Sequence, residues 1–198
     1  MNEYYFLAEK VKPSTAFAYT QGDTQLSHEL IPEVIGRSEL PFELFLKKVT
    51  TGKGGLQVSE DLSKLKYLWL DYQPNNLAWP LMSEKMRNVI SSHLTGKEGL
   101  DWIKALVKGG NEVKEYFIPR FLQKLDVLDE QKTIFVPGTA HIIKPVFSLS
   151  KISQFSIFHK SQEFFWEITS GLYVSETLKN AIQKEKLTGV DFEKTSVS

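Results

Sequence analysis

Cysteine is absent from the 198 residues. That excludes a disulfide framework, a thiol nucleophile and a thiolate-ligated zinc site. Long hydrophobic runs are lacking as well. No stretch approaches the roughly 20 apolar residues that a membrane-spanning helix requires. The apolar run near the start, Tyr4-Tyr5-Phe6-Leu7-Ala8, lies between Glu3 and Glu9 and is too short for the core of a secretion signal. A cytoplasmic protein with no membrane partner is therefore expected. Net charge is lacking too, since 24 Lys and Arg balance 24 Asp and Glu. Proteins that hold nucleic acid carry a basic surplus to neutralise phosphates, so nucleic acid is not an expected partner.

Catalytic signatures are equally sparse. The four histidines, His28, His93, His141 and His159, are scattered, and no two stand at helical ligand spacing. They read as surface or internally satisfied residues, with His159, beside Lys160 on a predicted strand, taken as exposed. No metal and no cofactor are expected. Gly52-Lys53-Gly54-Gly55 lacks the four-residue spacing and the following Ser or Thr of a phosphate loop. No Gly-x-Ser-x-Gly elbow is present. Carboxylates are plentiful, but their spacing singles out no acid–base pair. A hydrolase using dispersed carboxylates and histidines is thus the minor alternative.

What is present is an ordinary globular composition, 41% apolar and 24% charged, with aromatics at 12%. A chain of this length buries about 70% of its unfolded surface without disulfides or metal. The pattern predicts an α+β fold, with a mixed, mostly antiparallel sheet and a few amphipathic helices. One domain over 1–198 is expected, its first 64 residues less regular. Strands are predicted at 3–9, 42–49 and 65–72, the last central in the sheet because it is apolar on both faces. Residues 10–41 read as irregular, with a short element near 26–31, and 50–55 as a turn or loop. Ser83 caps a helix carrying Met86, Val89 and Ile90 on one face, with Gly96 as its stop. A second helix is predicted over Glu98–Lys108, ended by Gly109-Gly110. Five further strands follow at 113–118, 133–136, 142–147, 155–159 and 164–168. A final helix starts at Ser175, and the polar tail from Glu193 to Ser198 is expected to fray.

Residues 82–90 (Met-Ser-Glu-Lys-Met-Arg-Asn-Val-Ile) and 174–182 (Val-Ser-Glu-Thr-Leu-Lys-Asn-Ala-Ile) share Ser, Glu, Asn and Ile in register. Leu94-Thr95-Gly96 then answers Leu187-Thr188-Gly189, displaced by one residue. Two capped amphipathic helices converging on one solution is the plainer account, and duplication the other.

Two segments carry binding candidates. Asp71, Tyr72, Asn76 and Trp79 lie in an aromatic and polar stretch between a predicted strand and helix. Loops so placed often carry function, and Tyr and Trp anchor interfaces. Trp79 plugging the core is the competing account. Asp126, Asp129 and Glu130 form an acidic turn, either a solvated loop or a contact for a basic partner.

Leu70-Asp71-Tyr72 followed by Trp79-Pro80-Leu81-Met82-Ser83-Glu84-Lys85-Met86 resembles the opening of a bacterial immunity-protein family found beside polymorphic toxins. Glu115-Tyr116-Phe117-Ile118-Pro119 is similar to that family's strand. Leu172 to Ile182, then Leu187-Thr188-Gly189-Val190-Asp191-Phe192, resembles its closing helix and turn. The similarity spans about 65–192, and Thr95 to Gly110 departs from the shorter members. It implies an α+β protein that binds and blocks a cognate protein toxin, without catalysis. A structural or regulatory protein-binding module is the alternative.

Overall fold

A computed structural model describes residues 3–22, 26–162 and 164–198. Among them run β1 (Tyr4–Glu9), β2 (Ala16–Thr20), α1 (Ser27–Val34), β3 (Leu44–Gly52), β4 (Gly55–Ser59), β5 (Met82–Ser83), α2 (Glu84–Ser91) and β6 (Leu100–Gly109). Then come β7 (Glu112–Phe121), β8 (Ile134–Phe135), β9 (Ile142–Lys144), α3 (Leu149–Ile152), β10 (Ile157–His159), β11 (Leu172–Ser175), α4 (Glu176–Lys184) and β12 (Val190–Lys194). One sheet has the order β10-β11-β1-β12. The other runs β2-β3-β6-β7-β5, with β4 also on β3, and β8 pairs β9. The β3–β6 pairing is parallel and the other strand pairings are antiparallel. The expected α+β class is the observed one.

Several local expectations are corrected. Leu100–Gly109 is a strand, not a helix. Ile103, Ala105 and Val107 are buried while Trp102, Lys104, Leu106 and Lys108 are less so, a period of two that only a strand produces. Gly110, at φ 58°, belongs to the turn into β7. Residues 65–72 form no continuous strand. Their backbone is handed from Ser14 and Ala16 to Thr188 in succession, so no single neighbour supplies a ladder. Residues 164–168 do not extend either, because Phe165 takes a left-handed φ of 57°. The supposedly irregular 10–41 holds β2 and α1. α2 ends at Ser91, before Gly96.

The tail is docked rather than frayed. Phe147 and Leu149 N–H donate to the Ser196 and Ser198 carbonyls, and Ser198 N–H returns to Phe147 O. His159 is fully buried instead of exposed. Its Nε2 accepts from Leu125 N–H at 3.3 Å, and its Nδ1 lies 3.0 Å from the Lys160 carbonyl.

One unit recurs in both sheets. In the first copy, the Asp71–Tyr72 segment pairs with β5, β5 with β7, and β7 with β6. In the second, β10 pairs with β11, β11 with β1, and β1 with β12. The registers agree. Tyr4 and Tyr5 face Ser175 and Val174, as Tyr116 and Phe117 face Ser83 and Met82. Across the other edge Tyr5 faces Lys194 and Ala8 faces Asp191, as Phe117 faces Lys104 and Arg120 faces Asp101.

Side-chain contacts repeat with the backbone. Lys194 pairs with Glu3, and Lys104 with Glu115. Lys179 sits 3.8 Å over the Tyr5 ring, and Arg87 3.9 Å over the Phe117 ring, both favourable to the ring quadrupole. Ser83 and Ser175 cap their helices by accepting from Met86 and Leu178 N–H. The correspondence thus extends well beyond two similar helices. The strand that closes the first copy, β7, has its counterpart β1 at the start of the chain, so the repeat is cyclically shifted.

Candidate partner-binding surfaces

Asp71 joins the two copies. Its carboxylate accepts from Ser83 Oγ at 2.7 Å, Thr188 N–H at 2.8 Å and Thr188 Oγ1 at 2.9 Å. Glu98 makes the reciprocal joint from the first copy to the second. It is buried and accepts from Thr95 N–H, Thr95 Oγ1 and Ser156 N–H at 2.9–3.1 Å. Each joint therefore holds the threonine of a Leu-Thr-Gly turn on a carboxylate. Charge-assisted bonds of this kind exceed neutral ones in strength.

The stretch from Asp71 to Trp79 is pinned inward. Tyr72 and Trp79 are only 2% and 3% exposed. Burial, with Glu9 nearby, pushes the Tyr72 phenol well above its ordinary pKa. Asn75 closes the loop, accepting from Leu77 and Trp79 N–H and donating to Trp79 O. Asn76 bonds Thr20 on β2, its Oδ1 accepting from the N–H at 3.1 Å and its Nδ2 donating to Oγ1 at 3.0 Å. Gln73, fully buried, accepts from Leu70 N–H and donates to Ala16 O.

The acidic turn is partly internal as well. Asp126 is exposed and pairs with Lys151 at 2.7 Å. Asp129 accepts from Ser198 Oγ at 2.7 Å and pairs with Lys132 at 3.5 Å. The Ser198 bond is the main cause of a carboxyl held below its usual range. Glu130 is exposed, whereas Val127 and Leu128 between the acids are core residues. Tyr72 shares a core cluster with Val127 and Leu128, while Trp79 belongs to the other cluster. The nominated residues do not form one patch.

Sequence reasoning passed over Glu98, Gln73 and Arg120 and misplaced His159. Arg120 forms a two-pronged pair with Asp101, at 2.9 and 2.5 Å, and donates to the Val34 and Arg37 carbonyls at the end of α1. Glu98 had a legible signal, because Thr95-x-x-Glu98 has the spacing at which a carboxylate returns to a preceding N–H. The other three carried none.

The residues so far describe an α+β scaffold whose internal polar groups join two copies of one unit. Among the described residues, no three His, Asp or Glu side chains gather as a metal site, and no helix is long and apolar enough to cross a membrane. The immunity protein family Imm11 matches residues 48–197. The chain belongs to that family, one of toxin immunity. A comparison with curated proteins finds no match.

Proposed function

We propose that this protein binds a cognate bacterial toxin and neutralises it by covering the toxin's active site, acting in the cytoplasm without catalysis. The family match over 48–197 carries the reading. The interior supports it physically. Loops tied by carboxylate and amide bridges present a preformed surface, and such surfaces dock with little backbone change. Asp126 and Glu130, exposed on their turn, serve as rim contacts that speed encounter. Asp71, Tyr72, Asn76 and Trp79 contribute by holding the framework beneath the contact surface. The whole chain acts as one folding unit, because β1 supplies a central strand to the sheet formed with β10, β11 and β12.

Co-expression with the toxin encoded beside its gene tests the function. Survival of the host and recovery of a stable complex are expected. Continued killing, or survival with no complex at micromolar concentrations, overturns occlusion by binding.

A further inference from the structure

The repeated unit contains two equivalent connections whose surroundings differ. Residues 73–81 link the Asp71–Tyr72 segment to β5, and residues 160–171 link β10 to β11. Both are closed by an amide side chain and a left-handed residue, though at different spacings. An amide side chain donates across the loop, Asn75 to Trp79 O at 2.7 Å and Gln162 to Phe165 O at 2.9 Å. A residue with left-handed φ then precedes a tryptophan, Ala78 at 53° before Trp79 and Phe165 at 57° before Trp166.

The first connection is roofed by the chain's own β2. Ala18 N–H donates to Pro74 O at 2.8 Å and Asn76 N–H to Ala18 O at 3.0 Å, with Leu77 and Trp79 buried. At the second connection Phe164 and Phe165 stand 62% and 43% exposed. A bulky side chain in the left-handed region is strained. A left-handed turn residue need not be bulky, since the first connection places alanine at its own left-handed position. The core does not need the bulk either, since Phe165 belongs to neither buried cluster. Strain retained at an exposed aromatic is the mark of a residue kept for contact.

We propose that Phe164 and Phe165 are the central anchors for the toxin, which seats them in an apolar socket just as β2 covers the equivalent loop. This rests on the immunity reading above. Beside the two rings lies a cleft of about 280 Å³ lined by His141, Ile142, Lys160 and Gln162, with the His28 ring 5.5 Å from Phe165. Among the described lining residues Lys160 is a cation, so a carboxylate on the socket's near rim is expected to favour binding. Adjacent aromatics that become fully desolvated at the middle of an interface carry a large share of its energy.

The test uses the full-length protein and a catalytically inactive form of the toxin encoded beside its gene, titrated by calorimetry. Phe164→Ala is expected to weaken binding at least tenfold. Phe165→Gly, which relieves the left-handed strain, is expected to do the same with an unchanged or raised urea midpoint. A purely structural role would lower the midpoint and leave toxin affinity alone. Binding within twofold of wild type for both variants overturns the proposal while leaving toxin binding intact. Absence of binding by the wild-type protein overturns both. Sedimentation decides the other occupant: a wild-type dimer that Phe164→Ala converts to monomer assigns this face to a second copy and overturns the toxin assignment.

Discussion

Replacing Glu98 tests the joint between the two repeated units most directly. Its carboxylate is 1% exposed and serves Thr95 N–H, Thr95 Oγ1 and Ser156 N–H. In Glu98→Ala the Thr95 hydroxyl still donates to Gln154 O at 2.9 Å, but two backbone N–H groups lose their acceptor. A dry orphan costs about 1–3 kcal/mol, and Thr95 is exposed enough for water to reach its N–H, so a loss of about 2–4 kcal/mol is expected once the vacated space is included. Glu98→Gln keeps the shape. Its carbonyl can accept from both N–H groups and its amide can donate to Thr95 Oγ1, so about 1 kcal/mol is expected. In equilibrium urea unfolding, with a slope of about 2–3 kcal/mol per molar, the alanine variant should unfold about 1–2 M earlier and the glutamine variant close to wild type. A loss below about 1 kcal/mol for Glu98→Ala, or equal losses for the two variants, refutes the assignment of Glu98 as the acceptor that holds the units together.

The two equivalent glycines should respond unequally. A Cβ on Gly189 would overlap the Tyr72 carbonyl, whereas one on Gly96 meets nothing, and both sit at left-handed φ. Gly96→Ala should cost about 1–2 kcal/mol in thermal or urea unfolding, and Gly189→Ala more than about 3 kcal/mol or fail to fold. His159 should make stability fall with acid. Burial lowers its folded pKa below the ordinary histidine value of about 6.5, and protonation would set a new N–H against that of Leu125. The unfolded chain therefore binds the proton more readily. The stability this histidine confers is full above about pH 6.5 and is lost as pH falls toward the lower folded value. Urea midpoints from pH 7.5 to 5 should decline in wild type and flatten in His159→Gln; equal slopes refute the prediction.

Helix starts were legible because a cap is a local device. Ser83 and Ser175 announce themselves by a hydroxyl before a Glu and an apolar stripe, and both cap in the structure. The strand at Tyr4–Glu9 and the α+β class were legible from aromatic alternation. Leu100–Gly109 was not, because its apolar residues fit a helical face nearly as well as a pleat. Pairing with β7 along its full length decides between them. The segment 65–72 has the composition of a central strand, but its hydrogen bonds go to scattered partners. Tyr72 read as an interface aromatic because its cover, the Leu-Thr-Gly turn at 187–189, is remote in sequence, whereas the core-plug reading of Trp79 is the one observed. The match of Glu3-Tyr4-Tyr5 with Glu115-Tyr116-Phe117, and of Val190-Asp191-Phe192 with Leu100-Asp101-Trp102, was present all along. The cyclic shift of the repeat hides it from any comparison that assumes a common order.

That shift bears on how the chain is made. β1 is a middle strand of its sheet yet is synthesised well before both of its neighbours, since Tyr4 pairs with Ser175 and Tyr5 with Lys194. At synthesis rates of about 5–20 residues per second, β1 waits on the order of 10–30 seconds for both neighbours. During that time the first copy of the unit has all its strands, contiguous between residues 70 and 121, but lacks the β11 and α4 side chains that share its core. A newborn molecule should thus pass through a half-built stage carrying an apolar strand, Tyr-Tyr-Phe-Leu, with two unsatisfied edges. The acidic residues Glu3 and Glu9 that bracket that strand are placed to discourage premature association with other nascent copies.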